Sequence, residues 1–229
     1  MIDHVRDLAS VRDATERLLT AAAKLDNASV AEPSRLPGWS RGHVLAHLAR
    51  NADALVNVLE GHPMYASGDA RDTDIERDAP RPLDTQLADV RESAARFQEA
   101  AAAPADWSRT VELRNGVTDS ASRVPFRRWV EVELHHVDLG IGYELEDLPE
   151  EFVEREIEFL AARFAGHPDV PPTRITDGTR AWSTGRGTEG TPEVIVTGPT
   201  PVLLGWLAGR RDGADLTVDG GLLPALPPL

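Results

Sequence analysis

The sequence predicts an α+β protein with two domains, a helical N-terminal domain over residues 1–166 and a small α+β domain over residues 167–229. Before Gly166, long stretches repeat apolar side chains every three to four residues, as one face of an amphipathic helix requires. After Gly166, short runs of β-branched residues alternate with turn residues, which favours strands. The 229 residues suffice for one large domain or two small ones, with ample length to bury a core.

Five helices are predicted before Gly166. Apolar spacing predicts three of them, over 3–26, 40–61 and 82–103. A fourth follows Pro125, which suits a first helical turn, and ends near Gly140 and Gly142, because glycine favours a helix terminus. The fifth begins near Pro149, where early glutamates suit the positive end of the helix dipole.

Two polar segments separate the N-terminal helices. Residues 62–81 contain two prolines and many charged side chains, so we interpret them as a long surface loop, of a length often found in lids. Residues 105–124 are interpreted as a second, crossing loop. In the C-terminal domain, turn residues bound strands predicted over 173–176, 181–183, 193–197 and 215–218, and a short helix over 199–210.

Composition and charge exclude several classes of function. The formal charge of −14, from 38 acidic against 24 basic side chains, disfavours nucleic acid and anionic membrane surfaces as partners. The chain has no cysteine, which excludes disulfides, thiolate metal sites and a cysteine nucleophile. The N-terminus lacks the apolar core of a signal peptide, and no apolar run reaches membrane-spanning length, so we expect a cytoplasmic protein.

The fourth helix carries the residues most indicative of chemistry. Glu131 and His135 lie four residues apart and therefore share one face on successive turns, with Asp138 three residues further along the same stripe. His136 points elsewhere. A carboxylate oxygen and an imidazole nitrogen at this spacing can hold one divalent cation.

A third ligand must come from another helix. The best candidate is His47, in the apolar helix that starts at Ser40. His43 is also ligand-spaced from His47, but it lies in the first, more exposed turn, where an orienting or substrate-contacting role is the better interpretation.

Two explanations of a buried Glu131 remain open at this point. Its charge requires a partner, which is either a metal shared with the two imidazoles or one of the arginines at positions 50, 127 and 128. If a metal binds, three protein ligands leave open positions, as catalytic sites do. The imidazole and carboxylate ligands favour zinc, with manganese, iron and nickel as alternatives.

The chain resembles the mycothiol-dependent maleylpyruvate isomerase family, whose N-terminal domain is a DinB-like four-helix bundle. Three segments carry the resemblance: LPGWSRGHVLAHLARNADAL at 36–55, RRWVEVELHHVDLGIGY at 127–143 and LLGWLAGRRDG at 203–213. In order and spacing they cover essentially the whole chain. The resemblance therefore implies a DinB-like bundle followed by a small C-terminal α/β domain.

The resemblance also implies a site. It implies that His47, Glu131 and His135 hold the metal and that Arg210 reaches into the cleft and serves the reaction. The residues alone leave Arg210 and Arg211 equally explicable as helix-dipole partners or exposed side chains. The position directly after LLGWLAG favours Arg210 over Arg211.

The activity implied is the cis–trans isomerisation of maleylpyruvate to fumarylpyruvate in gentisate degradation, with mycothiol as the thiol cofactor. A metal-activated thiolate adds to the cis double bond, the resulting single bond rotates, and expulsion of the thiol leaves the trans product. The expected partners are a small-molecule substrate and the thiol, in a monomer or small homo-oligomer. The alternatives are a thiol-dependent S-transferase in detoxification and a non-catalytic metal-binding or regulatory module.

Overall fold

A computed structural model describes residues 3–103, 105–187 and 193–228 of the chain. The chain separates into two compact units, Met1–Tyr143 and Glu144–Leu229. In the described ranges, no helix combines the length and the apolar character that crossing a membrane requires.

The first unit is a four-helix bundle with short additions. Its elements in chain order are α1 (His4–Ala22), α2 (Asn27–Ala31), α3 (Arg41–Glu60), α4 (Gly68–Asp78), α5 (Leu83–Ala102), β1 (Thr110–Glu112), β2 (Thr118–Ser120) and α6 (Val124–Asp138). The four long helices form a closed ring in which α3 packs on α5, α5 on α1, α1 on α6 and α6 on α3. Their apolar stripes meet inside the ring and bury Val11, Leu18, Leu48, Leu55, Phe97 and Val132. The predicted bundle is therefore confirmed.

Helix α3 begins where the sequence predicts. The Ser40 side chain accepts a hydrogen bond from the backbone N–H of His43, and the Ser40 backbone N–H donates to His43 Nδ1, at 3.3 and 3.2 Å. This capping box uses histidine where glutamate is usual, and such a cap is worth about 1 kcal/mol. The cap sets where α3 begins. His47 lies one helical turn after the capping residue His43 and is buried.

The interpretation of residues 62–81 as a loop is wrong over most of its length, because α4 occupies Gly68–Asp78. The Ser67 side chain caps this helix by accepting from Ala70 N–H at 3.0 Å. Only Ile75 and Asp78 of α4 are buried, so the sequence has no apolar periodicity that would predict this helix. Its contact with α3 is close, since a side-chain carbon at Gly42 would lie 2.2 Å from the backbone oxygen of Ala79.

The prediction of a loop over 105–124 is also wrong in part. Strands β1 and β2 form an antiparallel hairpin in which Val111 is paired with Asp119. Each strand has three residues, and Val111 is the only one of the six that is buried. A pattern this short gives no alternation that sequence reasoning can use.

The second unit is a four-stranded sheet with two helices. It contains α7 (Glu150–Phe164), β3 (Thr173–Thr176), β4 (Ala181–Thr184), β5 (Val194–Thr197), α8 (Thr200–Leu207) and β6 (Thr217–Asp219). The strand order is β4-β3-β5-β6, with β3 and β5 parallel and the outer pairs antiparallel. These elements confirm the predicted α+β fold class.

The division between the units falls earlier than the sequence boundary at 166. Helix α7 packs on β4 and α8, so it belongs with the second unit. The Thr184 hydroxyl on β4 donates to the Ala161 carbonyl of α7 at 2.7 Å. Because a helix with one apolar stripe packs equally well on helices or on a sheet, the pattern of α7 does not reveal its partner.

Candidate metal centre

Two histidines and a glutamate converge inside the first unit. Glu131 Oε2 lies 2.9 Å from His47 Nε2 and 3.2 Å from His135 Nε2. One potential ligand atom from each of the three residues lies within 4.8 Å of the other two. The structure thus brings together the three residues that the sequence analysis selected.

The packing of α3 on α6 creates this arrangement. Glu131 and His135 project from successive turns of α6, and His47 projects from the facing side of α3. The His47 and His135 rings meet edge to face, with centroids 4.6 Å apart. His47 and His135 are nearly enclosed, whereas 32% of the Glu131 side chain is exposed, so one side of the cluster is open.

These donor atoms fit a metal ion. Two ligands at bond lengths of about 2.0–2.1 Å on a tetrahedral ion lie about 3.3 Å apart, close to the two separations seen here. Two nitrogens and one oxygen are donors that zinc accepts, and they leave one position for another ligand. The geometry therefore suits a metal with an open coordination position.

In each histidine Nε2 faces Glu131, and the other ring nitrogen, Nδ1, has a different partner in the two residues. His135 Nδ1 lies 2.8 Å from Asp138 Oδ2, and this carboxylate is fully buried. A carboxylate in this place orients the ring and favours a proton on Nδ1, which leaves Nε2 free for a metal. His47 Nδ1 lies instead 3.2 Å from Nη2 of Arg71, on α4.

The cluster shifts the pKa values of its members. Burial lowers the pKa of His47 to about 4, against the opposing hydrogen bond to Glu131. Burial also acts to lower the pKa of His135, but hydrogen bonds to Asp138 and Glu131 outweigh it and raise the pKa above its usual value. Burial acts to raise the pKa of Glu131, and the hydrogen bonds from both imidazoles hold it well below the ordinary range. Glu131 is therefore a carboxylate at neutral pH.

The rival arginines have other partners. Arg127 donates to Asp119 at 2.8 Å, and Arg50 donates to Asp89 at 2.6 Å. Arg128 is buried and donates to the Asn51 side chain at 2.8 Å. The hydrogen bonds that reach Glu131 in the described ranges come from the imidazoles, which favours the metal explanation, although the charge of Arg128 also interacts with Glu131.

The remaining predicted residues lie outside this cluster. His43 is part of the α3 cap, with Nδ1 2.7 Å from Ser40 Oγ and Nε2 3.4 Å from Glu76. Arg210 and Arg211 belong to the second unit and follow α8. Arg210 donates to the Ala208 carbonyl at 2.7 Å, whereas Arg211 pairs with Glu146 at 2.7 Å.

Sequence reasoning missed two residues beside the cluster. Arg71 contacts His47, and Tyr65 interacts electrostatically with both Arg71 and Glu131. Both residues lie in the segment interpreted as a surface loop. Their distance in sequence from His47 and Glu131 gives no pattern that connects them to the site.

The first unit is thus a four-helix bundle protein in which two imidazoles and one carboxylate form a candidate metal centre. The chain belongs to the mycothiol maleylpyruvate isomerase family. The family model described as mycothiol maleylpyruvate isomerase N-terminal domain matches residues 11–140, and the MDMPI C-terminal domain matches residues 147–228.

Solved structures show the same similarity. The chain superposes on a crystal structure of mycothiol-dependent maleylpyruvate isomerase with a TM-score of 0.86 and 27% identity, covering 99% of this chain and 97% of the other. A histidine-to-alanine variant of such an isomerase gives a TM-score of 0.88 and 26% identity over the same shares. Among curated protein sequences, none matches the chain.

Proposed function

We propose that this chain catalyses the mycothiol-dependent isomerisation of maleylpyruvate to fumarylpyruvate. The observation that carries the proposal is the convergence of His47, Glu131 and His135, within 4.8 Å, in a chain whose two halves both match this isomerase family. The open position of such a site suits a small ligand that must bind and leave.

The proposed metal is zinc, held by His47 Nε2, Glu131 and His135 Nε2. A bound zinc ion supplies a Lewis acid that lowers the pKa of a thiol and so provides a thiolate at neutral pH. Glu131 contributes the negative charge of the ligand set, and Asp138 holds the His135 ring in the orientation that metal binding needs. The chain has no cysteine, so the thiol must come from a separate molecule.

Arg210 is the proposed catalytic residue of the second unit. Addition of a thiolate to maleylpyruvate creates negative charge on a substrate that already carries two carboxylates, and a guanidinium stabilises such charge. Arg211 pairs with Glu146, and Arg210 donates to the Ala208 carbonyl. The position of Arg210 directly after LLGWLAG, a segment that carries the family resemblance, supports it as the arginine that serves the reaction.

The first experiment combines elemental analysis with an assay of maleylpyruvate absorbance, with and without mycothiol. We expect about one zinc per chain and isomerisation that requires the thiol. Zinc without isomerisation, or isomerisation at the same rate without mycothiol, would contradict the proposed function.

Replacement of Arg210 tests its role. Arg210→Ala should retain a full equivalent of zinc and lose activity by about 10²–10³-fold, as expected when one stabilising donor is removed. Arg211→Ala is the matched control, because it removes the neighbouring charge, and it should lose far less activity. Equal losses in the two variants would contradict the assignment of Arg210.

A further inference from the structure

Arg71 occupies an unusual position for an arginine beside a metal-binding histidine. Its Nη2 lies 3.2 Å from His47 Nδ1, and 12% of its side chain is exposed. Its carboxylate partner is Asp72, whose side chain is 62% exposed. Because an ion pair with an exposed carboxylate contributes little, the Arg71 guanidinium can exchange this partner at small cost.

When a metal binds His47, the contact between Arg71 and His47 becomes a contact between two hydrogen-bond donors. His47 Nε2 faces Glu131, so it is the nitrogen available to a metal. A neutral imidazole bound through Nε2 carries its proton on Nδ1, and a guanidinium has donors but no acceptor. The His47 N–H and the Arg71 N–H then require an acceptor that can serve both. His135 meets no such conflict, because Asp138 accepts from its Nδ1.

The best acceptor for two such donors is an anionic oxygen. A carboxylate accepts from a guanidinium and an imidazole N–H at once, and these charge-assisted hydrogen bonds are stronger than neutral ones. No carboxylate side chain from the described residues lies between Arg71 and His47, where the two nitrogens are in direct contact. The Tyr65 hydroxyl, which hydrogen-bonds Arg71, is a neutral acceptor, so the carboxylate of a bound ligand would be the stronger partner for the two donors.

A cavity lined by Tyr65, which hydrogen-bonds Arg71, has room for the rest of such a ligand. It measures about 550 Å³ and lies between residues 61–68 and the β1–β2 hairpin. Tyr65 lines this cavity and connects it with the cluster: burial raises its pKa, as does the charge of Glu131, while Arg71 acts against both. Arg109 and Arg114 also line the cavity together with Glu112, so its charged lining has one more basic than acidic side chain in a protein of net charge −14.

We propose that Arg71 binds a carboxylate of a dicarboxylate substrate jointly with the Nδ1 proton of His47, and that the adjoining cavity accommodates the remainder of the substrate. This inference rests on the proposed function, since maleylpyruvate is a dicarboxylate. It adds a substrate-binding residue in the first unit to the arginine already proposed in the second.

The test measures binding of maleate, a cis dicarboxylate, to the zinc-loaded full chain in the absence of any thiol. Isothermal titration calorimetry should show maleate binding at least about tenfold weaker in Arg71→Ala, as expected for the loss of a charge-assisted pair. Arg71→Lys should lie between the two, because lysine keeps the charge without the planar fork. The control is Arg12→Ala, which removes an exposed arginine of α1 and should bind maleate as the wild type does.

Two further measurements separate the outcomes. Zinc content should be unchanged in Arg71→Ala, and loss of zinc would overturn the proposal by making Arg71 a support for the metal site. Failure of wild type to bind maleate, or equal binding by Arg71→Ala, would also overturn it. If wild type binds zinc and maleate through Arg71 but does not isomerise maleylpyruvate, the anion site holds and the proposed function fails.

Discussion

The two sides of the candidate metal centre are built in different ways. On one side, α6 supplies two ligands and an orienting carboxylate from a single helix, Glu131, His135 and Asp138. On the other, α3 supplies His47, and a separate helix, α4, places Arg71 against it. The α6 side pairs its histidine with an acceptor, and the α3–α4 side pairs its histidine with a donor.

This difference gives the two histidines opposite electrostatic properties. The carboxylates around His135 raise its pKa, whereas burial lowers the pKa of His47 to about 4. Similar rings therefore have distinct protonation behaviour, which depends on partners outside the ligand set. Both sides supply a proposed metal ligand. The α6 side also supplies a carboxylate that orients its histidine, whereas the α3–α4 side supplies the arginine proposed to bind an anion.

The largest expected effect is the loss of either histidine. His47→Ala and His135→Ala should each abolish stoichiometric metal binding and isomerisation while leaving a folded bundle, because two remaining donors hold zinc poorly. Elemental analysis measures the metal, and circular dichroism checks the fold. A full equivalent of zinc in both variants would remove the basis for treating these residues as ligands.

A neighbouring acid provides the control for this experiment. Glu133 lies two residues from Glu131 but is buried and accepts from Arg17, Trp129 and Tyr143, at 2.6, 2.9 and 2.8 Å. Glu133→Gln should keep the metal and reduce stability by about 1–3 kcal/mol, since it weakens a buried network. Glu131→Gln should lose the metal.

The next largest effect is expected from replacing the residues that contact Nδ1 of the two histidines, Asp138 at His135 and Arg71 at His47. Asp138→Asn should weaken zinc binding by about 10–100-fold, as is usual for a residue that orients a metal-binding histidine. Arg71→Ala should leave zinc binding as tight as in the wild type or tighter, because it removes a donor that faces the His47 proton. Competition with a chelator of known affinity measures both. A loss of zinc affinity in both variants would show that the two sides are equivalent.

The smallest effect is the pH dependence of metal binding. His135, with its raised pKa, carries a proton below pH 6.5 that zinc must displace, whereas His47, with a pKa of about 4, does not until the pH approaches 4. Between pH 6.5 and 5, zinc affinity should therefore fall about tenfold for each unit, the slope for one proton. A hundredfold fall for each unit would mean that both histidines compete with the metal and that their asymmetry is wrong.

The helical pattern predicted much of the fold and the core of the candidate site. Apolar spacing and helix-terminal residues located α1, α3, α5 and α6, and the spacing of Glu131 and His135 placed them on one face before any tertiary contact was known. Helix α4 was missed because its buried residues are few and its stability comes from contacts with α3. Helix α7 was assigned to the first domain because an apolar stripe does not identify the element on which it packs.

By itself, the sequence determined the local geometry of each helix and therefore the pairs that lie within one. Helical periodicity relates residues four apart wherever they occur, so Glu131, His135 and Asp138 form one stripe in any helical context. Tertiary structure decided which helices meet. It brought His47 to Glu131 across 84 positions and set Arg71 on Nδ1 of His47, because packing is selected by the whole core and not by local spacing.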